Sequence, residues 1–149
     1  MSKAIAFWDT SALAPLCVEE ATSRQAQSLL KRYLPVVWWA TVIEMHSAIY
    51  RLYRLKQIDD HGKQAAFSRL ALLQRGWKEI LPGDSLRQLA TSLLNSYSLS
   101  AADSLQLAAA LIWCQERPSN KHIICADRRL AAAAQSAGFS VLELSASFP

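Results

Sequence analysis

Residues 4–13 of the chain, AIAFWDTSAL, place a short apolar run directly before an acidic side chain. The run over residues 4–8 has the length and composition of a buried strand, and Asp9 follows it without a linker. Residues 10–18 then predict a short helix, which Pro15 could interrupt. A buried strand that passes directly into a helix favours an α/β protein, in which polar residues at strand ends are candidates for a binding site.

The same alternation of strands and helices continues along the chain. Further strands are predicted where β-branched or aromatic residues cluster, at residues 36–39, 77–81, 122–125 and 141–144. Helices are predicted at residues 21–33, 41–56, 60–76, 85–97, 100–116 and 128–137. Pro35 is expected to end the first of these helices, and Gly138 to close the last. The pattern predicts one α/β domain over residues 1–149, with a mainly parallel sheet of four to five strands.

Four acidic residues lie near the carboxyl ends of the predicted strands. Asp9 follows the first strand directly, and Asp127 follows the fourth within two residues. Glu44 and Asp103 lie in the first turns of their helices. Because open parallel sheets bind ligands beyond the carboxyl ends of their strands, we expect the four carboxylates along one edge. Clustered carboxylates repel one another, and Mg²⁺ or Mn²⁺ would relieve that repulsion. The pattern therefore favours metal-assisted phosphodiester hydrolysis.

Each of these acids also has an alternative interpretation as part of a helix cap. Asp9 and Asp127 stand immediately before predicted helices, the position of an N-cap. Two further pairs have the form of a capping box: Thr41-x-x-Glu44 and Ser100-x-x-Asp103. Taken singly, a cap is the more common role, whereas four acids on one sheet edge favour a metal site. The two roles are compatible, because a helix N-terminus attracts an anion in either case.

The balance of charge indicates a polyanionic partner. The chain carries sixteen Lys and Arg residues against twelve Asp and Glu, a net charge of +4 with a pI near 9.2. Only eight acids lie outside the four proposed ligands, and residues 51–78 contain seven basic residues against two acidic ones. For any single Lys or Arg a solvated helix surface is the simpler explanation. The excess as a whole favours attraction to phosphate groups.

Other catalytic and binding classes lack their sequence signatures. His46, His61 and His122 have no HExxH or paired metal-ligand spacing, and the chain has neither a GxGxxG nor a Walker A loop. Ser11 has no GxSxG elbow around it, which argues against a serine hydrolase. The five tryptophans fall in predicted strands or apolar helix faces and are predicted to be core residues. One exposed ring among them could stack on a nucleobase.

The cysteines and the apolar segments predict the cellular compartment. Cys17, Cys114 and Cys125 form no CxxC pair, so they are predicted to be small buried residues in a reducing environment. Asp9 interrupts the first apolar run before it reaches the length of a signal-peptide core. No apolar stretch has the length to span a bilayer, so we expect a cytoplasmic protein without a membrane segment.

Several of these segments resemble motifs of PIN-domain ribonucleases. FWDTSAL at residues 7–13 resembles the strand and Asp-x-Ser start of that family, and Glu44 in ATVIEM is similar to its glutamate early in the third helix. LSAADSLQLA at residues 99–108 closely matches the motif of the third acid, and CADRRL at residues 125–130 resembles that of the fourth. The resemblance covers nearly the whole chain, in order and with compatible spacing. Size and pattern are most similar to the toxins of VapBC-type toxin–antitoxin pairs.

The resemblance implies a three-layer α/β/α sandwich and endonucleolytic hydrolysis of RNA. It also implies that Mg²⁺ or Mn²⁺ binds, directly or through water, at four acids: Asp9, Glu44, Asp103 and Asp127. Ser11 would orient Asp9 or a water molecule. The protein would form homodimers, and a small antitoxin protein would inhibit it with a tail that reaches into the active-site groove.

The chain departs from the family pattern at Cys125. The family often has Thr or Ser two residues before the fourth acid, and a thiol is a poor neighbour for Mg²⁺. The departure predicts a weaker ligand role for Asp127. It also leaves an alternative open, a catalytically silent PIN-like module that binds RNA or a partner protein. A DNA nuclease is a more distant alternative, because metal-ion chemistry on a phosphodiester does not distinguish ribose from deoxyribose.

Overall fold

A computed structural model describes residues 3–146, in which strands and helices alternate. The strands are β1 (Ala4–Trp8), β2 (Tyr33–Trp38), β3 (Lys78–Ile80), β4 (His122–Cys125) and β5 (Ser140–Glu143). The helices are α1 (Thr10–Cys17), α2 (Ser23–Arg32), α3 (Thr41–Arg54), α4 (Asp60–Gly76), α5 (Asp84–Ser96), α6 (Ala101–Trp113) and α7 (Arg128–Ala137). The sequence predicts all of these elements, and β1, β4, α4 and α7 have the predicted bounds.

All five strands belong to one parallel sheet, in the order β3-β2-β1-β4-β5. β1 lies at its centre, where Phe7 aligns with Val36 of β2 on one side and with Ile123 of β4 on the other. The predicted parallel sheet is therefore confirmed. The winding of the chain reverses between β1 and β4, which is the topological switch point at which open α/β sheets bind ligands.

Side chains that alternate along the strands divide the core between the two faces of the sheet. Phe7 packs with buried residues of α5, α6 and α7. Ala6 and Trp8 pack with buried residues of α1, α2, α3 and α4 on the opposite face. The three-layer α/β/α sandwich implied by the resemblance is thus the observed architecture, and it directs the carboxyl end of β1 towards an edge between the two helical layers.

The start of β2 differs from the prediction. Helix α2 ends at Arg32, and the strand begins at Tyr33 and runs through Pro35. The prediction took Pro35 as the end of the helix and placed the strand three residues later. β3 pairs with β2 only from Val36 onward, so Pro35 has a strand partner on one side only. A proline is tolerated at such an edge position.

Two local features of the helices bear on the predictions. Helix α1 runs without interruption through the buried Pro15, contrary to the suggested break. Gly138 closes α7 as predicted, with a left-handed φ of 113° and a neighbour, Pro118, that leaves no room for a Cβ atom. All three cysteines are free and buried, which confirms their predicted place in the core.

One tryptophan contradicts the prediction that all five are core residues. Trp8, Trp38 and Trp77 are buried and Trp113 is half-buried against the core, but the Trp39 side chain is 45% exposed. β2 ends at Trp38, and Trp39 lies in the turn to α3, beyond the edge of the sandwich. Within residues 3–146, no helix combines the length and the hydropathy needed to cross a bilayer.

Candidate functional site

Asp9 occupies the switch point of the sheet. Its backbone N–H donates to the carbonyl oxygen of Ile124 in β4 at 2.9 Å, and its side chain is only 5% exposed. The Asp9 Oδ2 atom accepts hydrogen bonds from the backbone N–H of Ser11, at 3.1 Å, and from the Ser11 hydroxyl. Asp9 is thus the N-cap of α1, as its alternative interpretation predicted, and its carboxylate is held in a fixed orientation.

Ser11 links the ends of the two central strands. Its Oγ donates to Asp9 and accepts a hydrogen bond from the backbone N–H of Ala126 at 2.8 Å. Ala126 directly follows β4, so one hydroxyl fixes the segment after β1 against the segment after β4. This contact places Ser11 where it can set the orientation of the Asp9 carboxylate.

Glu44 lies in the first turn of α3 but takes no part in a capping box. The N-cap of α3 is Ala40, without a side-chain cap, so the predicted cap at Thr41 is wrong. The Glu44 Oε1 atom instead accepts hydrogen bonds from the Thr10 hydroxyl, at 2.8 Å, and from the Gln106 amide nitrogen, at 2.7 Å. These donors come from α1 and α6, and the charge of the carboxylate they hold raises the pKa of Asp9.

Asp103 and Asp127 are half-buried and have fewer partners. Ser100 caps α6 by accepting from the backbone N–H of Asp103 at 3.1 Å, as its capping-box pattern predicted. Asp127 caps α7, with its Oδ1 atom accepting from the backbone N–H of Leu130 at 3.0 Å. One oxygen of Asp127 is therefore committed to the helix end.

Electrostatic coupling joins the four acids. Burial raises the pKa of Asp9 to about 6; hydrogen bonds from Ser11 oppose this effect, and the charges of Glu44 and Asp103 add to it. Burial also raises the pKa of Asp103, and the charges of Asp127 and Glu44 raise it further. A hydrogen bond from Ser100 and the charge of Arg129 act in the opposite direction. The acids therefore share one electrostatic neighbourhood, as expected for side chains on one sheet edge.

The donor set suits a divalent cation, although it does not form a closed cage. Within residues 3–146, no group of three His, Cys, Asp or Glu side chains has the spacing of a preformed metal site. The two ion pairs of the same region, Lys63–Asp60 and Arg87–Asp84, leave all four acids without a Lys or Arg partner. Mg²⁺ typically binds through one or two carboxylates and several waters, so these oxygen donors fit it.

Cys125 offers no metal ligand. The side chain is fully buried among apolar residues, and burial raises the pKa of its thiol to about 12. The charges of Asp9, Glu143 and Asp127 act in the same direction. The protonated thiol contacts the backbone carbonyl oxygen of Asp127 at 3.8 Å. The Cys125 side chain therefore packs in the core and contacts the backbone of the segment that carries Asp127.

Sequence reasoning missed the roles of three polar side chains: Thr10 and Gln106 donate to Glu44, and Thr41 accepts from Gln106. Gln106 is 1% exposed and lies one turn after Asp103, on a helix whose other buried residues are Ala, Leu and Ser. A polar side chain on an otherwise apolar helix face was the available signal, because a buried amide needs partners. The partners themselves come from distant parts of the chain and have no local pattern.

Chains from several solved structures share this fold. A chain of a toxin–antitoxin complex from Klebsiella pneumoniae has 19% identity and a TM-score of 0.61, and the match covers 85% of this chain and 90% of that one. A chain of VapBC2 from Rickettsia felis, solved bound to a DNA fragment from their promoter, has 9% identity and a TM-score of 0.65. The match covers 95% of this chain and 99% of that one. A chain of FitAcB from Neisseria gonorrhoeae has 14% identity and a TM-score of 0.63, and the match covers 93% of this chain and 97% of that one.

These likenesses establish the fold, and they agree with the resemblance to PIN-domain proteins and VapBC-type toxins. The matches extend over nearly the whole length of this chain and of each similar chain. No protein-family model matches the sequence, and no curated protein matches it at a significant level.

Proposed function

We propose that the protein is a metal-dependent endoribonuclease that hydrolyses RNA phosphodiester bonds. The proposal rests on the buried Asp9 carboxylate at the switch point of the sheet, which faces the charges of Glu44 and Asp103. No Lys or Arg within residues 3–146 forms an ion pair with it. A buried acid in such surroundings is stabilised in its charged form by a divalent cation, which is the largest local charge in a metal site.

Mg²⁺ or Mn²⁺ would be held, directly or through water, by the carboxylates of Asp9, Glu44, Asp103 and Asp127. When bound, such an ion supplies a Lewis acid that lowers the pKa of water and neutralises phosphate charge. The chain itself orients the ligands: Ser11 holds Asp9, while Thr10 and Gln106 hold Glu44. The low exposure of Asp9 excludes bulk water from its carboxylate, which strengthens its attraction to a cation.

Basic and aromatic side chains near the acids would hold the RNA. Arg129 is exposed at the start of α7, two residues after Asp127, and its charge lowers the pKa of Asp103, so its guanidinium would be available to a phosphate at the site. The exposed Trp39 ring, in the turn after β2, is available for stacking on an unpaired base. The excess of basic residues over residues 51–78 would add non-specific attraction to the RNA backbone.

A role as the toxin of a toxin–antitoxin pair is part of the proposal. One chain with the same fold comes from a toxin–antitoxin complex and another from VapBC2, and the sequence motifs resemble those of VapBC-type toxins. The protein would then pair with a small antitoxin and form homodimers in the cytoplasm. Co-expression with the product of an adjoining small reading frame tests this part: a stable complex that suppresses cleavage supports it, and an uninhibited nuclease contradicts it.

Cleavage of a mixed pool of structured RNAs tests the activity itself. The purified protein is assayed with Mn²⁺, with EDTA, and beside the Asp103→Asn variant. We expect discrete products that disappear with EDTA and in the variant. Equal cleavage in all three reactions would contradict the proposed site. A matched DNA pool tests the substrate class, because cleavage of DNA alone would identify a DNA nuclease.

A catalytically silent PIN-like module is the second candidate. The absence of a preformed three-residue ligand cluster within residues 3–146, together with Cys125 in place of Thr or Ser, favours it. Metal titration of the thermal unfolding midpoint separates the two candidates. A true site raises the midpoint by mass action as Mn²⁺ is added, whereas a silent module gains no stability.

A further inference from the structure

Gln106 is a buried amide among mostly apolar buried residues of α6. Its side chain is 1% exposed, and it extends from α6 into the space between α1 and α3. Neighbouring positions of α6 carry Leu107 and Ala109, which are fully buried. A polar group in such a place destabilises the fold unless its hydrogen bonds are satisfied. The contacts of this amide therefore indicate what it does.

The amide nitrogen lies at the junction of three helices. Gln106 Nε2 lies 2.7 Å from Glu44 Oε1, 3.2 Å from Thr10 Oγ1 and 3.3 Å from Thr41 Oγ1. Because an ionised carboxylate can only accept, the nitrogen and not the oxygen of the amide must face Glu44. The Thr10 hydroxyl gives its own hydrogen to the same Oε1 atom, which leaves its oxygen free to accept from the amide.

The opposite end of the same amide is unsatisfied. Gln106 Oε1 is buried without a hydrogen-bond partner among the described residues. Leaving such an acceptor buried without a partner is unfavourable. The hydrogen bonds that the amide nitrogen makes to Glu44 and the two threonines therefore hold the amide in this orientation. The bond to a charged acceptor is the strongest of these contacts.

Glu44 thereby has two unequal oxygens. Oε1 accepts two hydrogen bonds, from Thr10 and Gln106, while Oε2 accepts none from residues 3–146. From this geometry we propose that Gln106, together with Thr10, is a positioning residue that fixes the rotamer of Glu44 and leaves Oε2 free to bind the cation. The inference rests on the proposed function, because it concerns the same metal site. Gln106 touches neither RNA nor metal in this account and acts only through Glu44.

The test is Mn²⁺ binding to the full-length protein, measured by isothermal titration in the absence of RNA. Gln106→Met keeps the length of the side chain and removes its donor. We expect the dissociation constant for Mn²⁺ to rise about 10-fold or more, as is typical when an outer-shell partner of a ligand is removed. Gln88→Met makes the same chemical change on the exposed surface of α5 and should leave the constant unchanged.

A second readout distinguishes positioning from general damage to the fold. In the cleavage assay, Gln106→Met should lower kcat while the KM for RNA stays near the wild-type value, since RNA contacts are untouched. If Gln106→Met fails to fold, Thr10→Val removes the other donor to Glu44 Oε1 and should weaken Mn²⁺ binding in the same direction. Wild-type affinity in a folded Gln106→Met or Thr10→Val protein would overturn the assignment.

The experiment also separates this inference from the proposed function. Tight Mn²⁺ binding by the wild type and by Gln106→Met alike would leave the nuclease proposal intact and reject the positioning role. If the wild type does not bind Mn²⁺, both fail together.

Discussion

The two halves of the acidic site are built differently. In one half, Asp9 and Glu44 each have one oxygen that accepts two hydrogen bonds. Both donors to Asp9 belong to Ser11, whereas those to Glu44 come from Thr10 and Gln106. In the other half, Asp103 and Asp127 are half-buried and are held by the capping contacts at the starts of α6 and α7. Asp9 and Asp127 are both helix caps, but contacts between distant segments reinforce the first half, because Ser11 accepts from Ala126 after β4 and Gln106 of α6 donates to Glu44. The second half depends on local helix geometry.

This difference predicts separate roles for the two halves in cation binding and in RNA binding. Ligands fixed by a buried network bind a cation without losing further side-chain freedom, so the Asp9 half should dominate cation affinity. Half-buried ligands near exposed basic residues are better placed to meet the phosphate of a substrate. Asp127 should therefore respond more mildly to substitution than Asp9, and its half should be the side on which RNA contacts are made.

Asp9→Asn should have the largest effect. The amide keeps the size of the side chain and an oxygen that can still cap α1, but it removes the charge. We expect cleavage to fall by at least about 100-fold, since even outer-shell changes at metal sites commonly lower activity 10- to 100-fold. Circular dichroism should show an unchanged fold.

Asp84→Asn is the matched control for that substitution. Asp84 also lies at the start of a helix and is exposed, with Arg87 as its ion-pair partner. Its replacement should leave cleavage unchanged. Comparable activity in Asp9→Asn and Asp84→Asn would remove Asp9 from the site.

The stability of the metal-free protein should depend on pH through Asp9. Its pKa rises from 3.8 to about 6 on folding, so the folded state binds the proton more tightly than the unfolded state does. The free energy of unfolding should therefore fall as the pH rises from about 4 to about 6, by up to about 3 kcal/mol. Urea unfolding in EDTA at several pH values measures this fall in the free energy of unfolding.

Asp9→Asn supplies the reference for this pH series. The variant lacks the titrating group, so the decline that Asp9 causes should be missing, while the contribution of Asp103 remains in both proteins. Mn²⁺ should restore the stability of the wild type at pH 7, because the cation stabilises the ionised carboxylates. Parallel curves for the two proteins in EDTA would show that the Asp9 carboxyl is not buried as described.

At Asp127, two substitutions separate the cap from the metal ligand. Asp127→Asn retains an N-cap and should lower cleavage by about 10-fold with little change in stability. Asp127→Ala loses the contact to Leu130 as well, and should cost about 1 kcal/mol of stability in addition. Equal unfolding free energies for the two variants would show that the cap contributes nothing.

Arg129→Gln should have the smallest effect of the series. We expect the KM for RNA to rise by a few fold, about 1 kcal/mol, with kcat unchanged, because a phosphate contact affects binding more than chemistry. The dependence of RNA binding on salt should become shallower by about one unit of slope. A loss of kcat with an unchanged salt slope would place Arg129 in the chemistry instead.

Much of the fold could be predicted from the sequence, because its signals are local. The apolar run of β1 ends directly at Asp9. Helix α7 begins after the cap Asp127 and ends at Gly138, whose backbone is left-handed. Pro35 misled the prediction, because a proline is compatible with a strand wherever no neighbouring strand needs its N–H. That circumstance depends on where β3 begins to pair and is invisible in the local sequence.

The site was predictable only in part, for the same reason. The sequence placed all four acids and Ser11 at the starts of helices, and the structure brings the acids into one electrostatic neighbourhood. The sequence could not reveal that the Thr41 hydroxyl contacts Gln106 instead of capping α3, or that Trp39 lies beyond the core. Both outcomes depend on how distant segments pack.

The most direct test is a crystal of the protein soaked in Mn²⁺, with data collected for the anomalous signal of the metal. We expect an anomalous peak within bonding distance of the Asp9 carboxylate, at the edge between β1 and β4, and no such peak in crystals of Asp9→Asn. A wild-type crystal with full Mn²⁺ exposure and no peak at that edge, or with a peak that persists in Asp9→Asn, would contradict it.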